Sequence, residues 1–200
     1  MHEEEPENSQ HQHDQTEPEQ ERAARPRIYV ASLADYNEGR LHGAWIDAAQ
    51  DEKSLHRQVK EMLCQSPSPG AEEWAIHDYE GFGQLHLDEF ESLETVAKIA
   101  AGILEHGAAF AAWAARVGTD SDRLDDFEDA YLGEWESGKA FAEEMLDNMA
   151  AFKDLTSELP DHLAPYVEIN YDSYFNDLVF GGEIITMEKL DGGLYVFQNS

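Results

Sequence analysis

The sequence predicts an α+β protein, laid out as an elongated chain of three small domains: an N-terminal ββαβ-like sheet domain, a helical middle domain, and a C-terminal α+β domain with a terminal hairpin. Three observations predict it. Residues 28–80 hold three short runs rich in β-branched and aromatic residues, separated by turn residues and one helical segment. From Leu87 to Phe152 apolar residues recur every three to four positions. The last stretch returns to two strand-like runs around an Asp-Gly-Gly turn at 191–193. The expected divisions are 1–26, 27–83, 84–155 and 156–200.

Residues 1–26 contain almost no apolar side chains and many Glu, Gln and Pro, so burial there cannot offset the entropy of ordering, and a disordered acidic tail is expected. Its His2, His11 and His13 have no fixed geometry that would make them a metal site. Ile28–Leu33 reads as a strand, Asn37–Arg40 as a turn, and His42–Asp47 as a returning strand. Asp51 is placed to cap a helix whose apolar face is Leu55, Val59, Met62 and Leu63. Ser66–Gly70 stops that helix, and Glu73–Glu80 alternates as a third strand.

Asp88 is the expected cap of the next helix, with Phe90, Leu93, Val96, Ala97, Ala100, Ile103 and Leu104 on its apolar side. The Ala-rich run Ala108–Val117 follows after Gly107. Two acidic helices come next: Leu124, Phe127, Tyr131, Leu132 and Trp135 mark the first, and Phe141, Met145, Met149 and Phe152 the second. Short helices are expected over Asp161–Tyr166 and Tyr171–Phe180, and Gly181-Gly182 ends the latter. Glu183–Leu190 and Leu194–Gln198 form the closing hairpin.

Composition narrows function. The 200 residues are 42% apolar and 10% aromatic, enough to build cores. Against that, 43 Asp and Glu face 13 Lys and Arg, for a net charge of −30 and a pI near 4.3. Such a chain is repelled by nucleic acid and anionic membranes, so no direct nucleic-acid binding and no membrane association are expected, and its macromolecular partner should be basic. A single cysteine, Cys64, excludes an internal disulfide and fits a reducing, cytoplasmic setting. The longest apolar run is far shorter than the roughly 20 residues of a membrane span, and Met1 is followed by acids rather than a secretory signal.

The known catalytic and metal-binding patterns fail. Read from Asp120, a Ca²⁺ loop meets Leu124, Asp125 and Tyr131 where it needs a ligand, a glycine and a glutamate. His42, His56, His77, His86, His106 and His162 have no paired zinc-ligand spacing. Gly181-Gly182 and Gly192-Gly193 lack phosphate-loop spacing, and no GxSxG elbow occurs. No catalytic residue, cofactor or metal site is singled out, and no enzyme activity is expected.

What stands out is Thr119–Asp154, with eleven carboxylates before its closing Asp154: Asp120, Asp122, Asp125, Asp126, Glu128, Asp129, Glu134, Glu136, Glu143, Glu144 and Asp147. Asp122, Asp125, Asp126 and Asp129 share a helical face in like-charge contact, which costs a few tenths of a kcal/mol per pair. From Asp120 to Asp191 there are 20 acids and four bases, where a solvated face normally mixes both signs. The first 26 residues hold eight acids and two arginines, leaving about −24 of the −30 on the remainder. A compact body of that size is roughly 40 Å across. Two end to end would carry one charge per ~1.7 Å, the axial charge density of B-DNA.

From Arg27 to Gln198 the chain resembles the ArdA-type antirestriction proteins of plasmids and conjugative transposons. The residues that carry the resemblance are RIYVASLADYNEGRLHGAWIDA from Arg27, WAIHDYEGF from Trp74, LPDHLAPYV from Leu159, and YFNDLVFGGEIITME from Tyr174, which looks like the family's antirestriction segment. The tail before Arg27 is longer than the usual family start. The resemblance implies an elongated, curved homodimer whose acidic surface mimics bent B-form DNA and occupies the DNA groove of type I restriction-modification enzymes, without catalysis, so that incoming mobile DNA escapes cleavage.

On that reading the phosphate-like surface comprises the carboxylates of Thr119–Asp154 with Asp161, Asp172 and Asp177. Tyr174, Phe175, Leu178, Val179 and Phe180 are assigned to packing and to the dimer contact. Two alternatives remain open from the residues: an acidic module that binds another basic protein without imitating DNA, and a small enzyme using a carboxylate pair.

Overall fold

The computed structural model describes residues 25–160 and 162–199; residues 1–24 of the expected tail, and Asp161, lie outside the described residues. The fold is α+β, with two three-stranded antiparallel sheets. The first sheet has the order β2-β1-β3, formed by β1 (Arg27–Ser32), β2 (Gly43–Asp47) and β3 (Trp74–Glu80). Ile28, Val30, Ile46 and Ile76 of this sheet are buried, facing Leu55, Val59 and Met62 of α2 (Glu52–Cys64). Asp51 caps α2 as its position predicts, accepting from the Ser54 amide at 3.0 Å.

One short helix is additional to the expected ββαβ pattern. α1 (Leu33–Asn37) is capped by Ser32 and carries Asp35, whose side chain is fully buried. Ser68 donates to Asp35 Oδ1 at 2.7 Å, Arg40 Nε donates to the same oxygen at 3.2 Å, and Ser66 donates to Oδ2. Burial alone would push this carboxyl up. The hydrogen bonds from Ser66, Ser68, Ser32 and Arg40 outweigh it and hold the group well below the usual carboxylate range. The cluster ties the β1–β2 connection to the loop after α2.

The helical middle starts later than expected. Glu89 O accepts from Ile76 N of β3 at 2.8 Å, so 87–91 is held against the sheet edge. There the Asp88 carboxylate accepts from Phe90 N at 2.9 Å and closes a turn rather than capping a helix. α3 (Leu93–His106) begins after Ser92, whose Oγ accepts from Thr95 N at 3.0 Å. Its buried stripe is Leu93, Val96, Ile99, Ala100 and Ile103, whereas Phe90 and Leu104 are exposed. α4 (Ala108–Val117) packs back on α3, and a Cβ at Gly102 would overlap the Phe110 ring, so the close approach of the two helices depends on that glycine.

The second correction is larger. Only the start of the first acidic segment is helical: α5 (Ser121–Asp125) and α6 (Phe127–Ala130) are followed by a strand, β4 (Tyr131–Trp135). It pairs with β6 (Leu194–Gln198), which also pairs with β5 (Ile184–Glu188), giving the sheet order β4-β6-β5. A bulge shifts the β4 register between Tyr131 and Gly133, with Gly133 at φ 115°, so Tyr131 sits opposite Phe197 while Trp135 sits opposite Leu194. That extra residue places Tyr131 and Trp135 four apart on opposite faces, a spacing that imitates a helical stripe. The second acidic segment also breaks. α7 (Gly138–Asn148) and α8 (Ala150–Ser157) meet at Met149, which is extended, 43% exposed, and accepts from Phe152 N and Lys153 N at 3.1 Å each.

A 3-10 turn (Ala164–Tyr166) and α9 (Tyr171–Phe180) lead to the expected hairpin of β5 and β6. β6 separates two buried clusters. Tyr195 and Phe197 join the larger one, which extends from Ile28 through α2, α3, α4 and α6. Val196 joins Phe141, Leu178 and Ile184 in the smaller one.

Replacing Asp35 with Asn keeps the shape but removes the charge that four groups hold, and should lower Tm at neutral pH by about 5 °C or more, measured by calorimetry. The folded-state pKa lies below the unfolded one, so the stabilisation is complete above about pH 4 and is lost as pH falls below it. The Tm of the variant should therefore fall less steeply than that of the wild type between about pH 5 and pH 2.

Candidate functional site

The acidic surface is built on α5, α6, β4, α7, α8 and α9. Asp120 caps α5, accepting from Asp122 N at 3.1 Å, and Asp126 links α5 to α6 while keeping helical dihedrals. Burial of Leu124 and Phe127 sets the orientation of this short pair. Trp113 Nε1 donates to Arg123 O at 3.0 Å, anchoring α5 to α4. Lys98 of α3 donates to Ser121 O and Oγ at 2.8 Å each and pairs with Asp125 at 2.7 Å. Asp122, Asp125, Asp126, Glu128 and Asp129 consequently project outward, and all are exposed.

On β4, Glu134 lies against the closing hairpin, where it accepts from Lys189. Lys189 also approaches Asp191 at 3.4 Å, and its pKa is raised chiefly by the Glu134 hydrogen bond. Burial, followed by the Glu134 charge, raises the Tyr131 and Tyr195 phenols. Ser137 caps α7, and burial of Phe141 and Ala142 leaves Glu143, Glu144 and Asp147 outside. Asn170 caps α9, accepting from Ser173 N at 2.9 Å, and Asp172 and Asp177 are exposed. α7 and α9 pack together, and the Tyr171 phenol is raised first by burial and then by Asp147 and Glu143. The acids of one helix therefore act electrostatically on the next.

Of the fifteen carboxylates singled out from the sequence, Asp161 lies outside the described residues and the other fourteen, including Glu136 and Asp154, are exposed. Asp125 and Glu134 are paired with lysines, and Glu128 lies 3.9 Å from His106 Nε2. Asp122, Asp126, Asp129, Glu136, Glu143, Glu144, Asp147, Asp172 and Asp177 have no basic group within ion-pair distance among the described residues.

The apolar residues assigned to the closing segment divide. Leu178 is buried, and Tyr174, Phe175 and Val179 are partly buried against the smaller cluster. Phe175 lies 6.2 Å from the Phe141 ring and packs so closely over Gly138 that a Cβ there would overlap it. Phe180 is 86% exposed.

Two clusters escaped sequence reasoning. His106 Nε2 is 3.9 Å from both Glu105 Oε2 and Glu128 Oε1, although Glu128 lies far along the chain on α6. The Asp35 cluster likewise joins residues up to 33 positions apart. Spacing alone signals neither.

A groove of about 420 Å³ is lined by Glu136 and Glu188 together with Lys189 and Phe175. Another groove of about 550 Å³ between residues 49–51, which precede α2, and α3 includes Asp51 and Glu105, but Asp51 is engaged in capping α2. Hydrogen bonds from the Ser54 side chain and backbone lower the Asp51 pKa, the direction opposite to that of a general acid.

The family model described as antirestriction protein (ArdA) matches residues 28–190. The chain belongs to that family. The matched span of this ArdA protein contains the fifteen carboxylates singled out from the sequence and extends from β1 through β5. It is thus an antirestriction protein, of an inhibitor family whose members act on restriction enzymes. The comparison with curated proteins gave no match. Among the described residues, no helix is long and apolar enough to cross a membrane.

If the α7 acids act on α9 as their positions indicate, Glu143→Gln with Asp147→Asn should lower the pKa of Tyr171, followed by NMR of ring-labelled tyrosine during a pH titration. The Tyr195 resonance, which responds to Glu134, serves as the control and should not move.

Proposed function

We propose that this ArdA protein inhibits type I restriction-modification enzymes by presenting its exposed carboxylates in place of DNA phosphates. The observation that carries this reading is the set of nine exposed acids without basic partners among the described residues, set on packed helices around β4 and β6. Holding like charges together on a rigid support costs stability, and a partner lined with Lys and Arg returns that cost on binding. Asp120, Asp154 and the paired acids Asp125, Glu128 and Glu134 extend the same surface.

In this mechanism the protein occupies the DNA groove of the methyltransferase core, and incoming mobile DNA, such as a plasmid, escapes cleavage. It works in the cytoplasm, performs no catalysis and needs no cofactor or metal. Two copies associate to lengthen the anionic surface, with the exposed Phe180 beside Tyr174, Phe175, Leu178 and Val179 at the contact. The middle and last regions, 84–155 and 156–200, supply the charge, and the unit 27–83 extends it.

Competition decides the reading. Added to a purified type I methyltransferase core carrying labelled duplex DNA, the protein should displace the duplex, and raising the salt from about 0.05 to 0.3 M should weaken that displacement steeply. Single Asp→Asn changes should cost less than about threefold in inhibition, whereas joint neutralisation of Asp122, Asp126, Asp129, Glu143 and Asp147 should cost more than about tenfold. Binding to the enzyme without displacement of DNA would instead identify an acidic interaction module.

A further inference from the structure

We propose that His106, Glu105 and Glu128 form a site for a divalent transition ion, Zn²⁺ being the best fit, and that the ion clasps α6 to α3. His106 Nε2 lies 3.9 Å from Glu105 Oε2 and 3.9 Å from Glu128 Oε1. Both separations are too long for a hydrogen bond. Among the described residues these three side chains make no hydrogen bond, and neither carboxylate has a Lys or Arg partner. The donors therefore surround a gap rather than closing on one another. Their ligand atoms all lie within 4.8 Å of one another, so a point exists within about 2.8 Å of each, against the roughly 2.0–2.2 Å that Zn²⁺ takes to nitrogen and oxygen. The Glu105 and Glu128 side chains, 73% and 78% exposed, can swing inward by the remainder, less than about 1 Å.

The imidazole is what fixes the site. His106 is the last residue of α3, and its ring packs 4.7 Å from the Phe127 ring and 6.0 Å from the Phe110 ring, centroid to centroid. Both phenylalanines are buried, so the core sets the direction of the ring and leaves Nε2 facing the carboxylates. Phe127 immediately precedes Glu128 on α6, and the contact that orients the imidazole thus also delivers the second carboxylate. Two carboxylates and an unprotonated imidazole carry two negative charges, which a divalent ion balances. The nitrogen decides the class of ion: Mg²⁺ and Ca²⁺ take oxygen ligands, whereas imidazole with carboxylate suits Zn²⁺ and its neighbours. With three protein ligands, water completes the shell. Lys98 fastens α3 to α5 through Asp125, and the ion fastens the same helix to α6. The clasp is structural and takes no part in the displacement of DNA proposed above.

The test follows single residues, because His2, His11, His13 and the ion atmosphere of the acids also meet added metal. In the full chain labelled with ¹⁵N at histidine, at pH 7.5 and with about 10 mM Mg²⁺ to fill that atmosphere, Zn²⁺ should shift the His106 Nε2 resonance saturably at concentrations that leave His42 and His86 in place. Glu105→Gln/Glu128→Gln, which changes two exposed side chains and spares the ring packing, should weaken the response more than about tenfold. The Ala130 amide, which closes α6 on Asp126 O, should exchange with solvent more slowly when Zn²⁺ is bound. A His106 resonance that stays still, or that moves at the same Zn²⁺ concentrations in wild type and variant, would overturn the site. An equal response to Ca²⁺ would do so too, marking an ion atmosphere only, and unchanged exchange at Ala130 would overturn the clasp.

Discussion

The burial of both faces of β6 is the constraint on which the rest of the structure depends. Phe197 and Val196 are adjacent and fully buried, pointing to opposite sides as strand geometry requires. On one side Phe197 meets Trp113 at 5.1 Å, Tyr131 at 5.6 Å and Phe127 at 6.2 Å between ring centroids, which joins α4, α6 and β4. On the other, Val196 meets the cluster of Phe141, Leu178 and Ile184, which seats α7, α9 and β5. Each such side chain contributes roughly 1.5–3 kcal/mol by leaving water. The acids of α5 and α6 and those of α7 and α9 are thus positioned from opposite faces of one strand.

That arrangement explains how so unbalanced a charge is tolerated. Apolar anchors more than ion pairs define where the acidic helices lie, so most of their outward carboxylates are free of a structural role. The engaged bases act chiefly as fasteners: Lys98 holds α5 to α3, Lys189 holds the hairpin to β4, and Arg40 reaches the buried Asp35. Surface ion pairs of this kind are worth little individually, and the repulsion between neighbouring acids is of similar size, so the cores decide the balance. For an antirestriction protein, this leaves a charged exterior that can vary in detail while the interior holds its shape.

The glycines and caps show the same division of labour. Gly133 allows the bulge that turns Tyr131 and Trp135 to opposite faces of β4, with Tyr131 toward the Phe197 ring at 5.6 Å and Trp135 toward the Phe141 ring at 5.3 Å. Asp51, Ser92, Asp120, Ser137 and Asn170 each accept from an amide within the first turn of their helix. These local devices start helices that the apolar clusters then hold in place.

Features governed by neighbours in the chain were legible from the sequence alone: the strands around Ile28, Ile46 and Ile76, helix α2 after Asp51, α4 over Ala108–Val117, α9 over Tyr171–Phe180 and the hairpin at 191–193. Family membership was legible too, because motifs such as YFNDLVFGGEIITME are linear. Tertiary structure decided what depends on distant partners. Tyr131–Trp135 became a strand because β6, some 60 residues later, offered it hydrogen bonds and an aromatic face, and the bulge had disguised its period as helical. Asp88 lost its capping role to Ser92 because β3 holds Glu89 in place. Asp35, Arg40 and Ser68 met, as did His106 and Glu128, only because folding brought their elements together. Local propensity is written in adjacent residues, whereas a strand or a polar cluster is chosen by the partner that satisfies it.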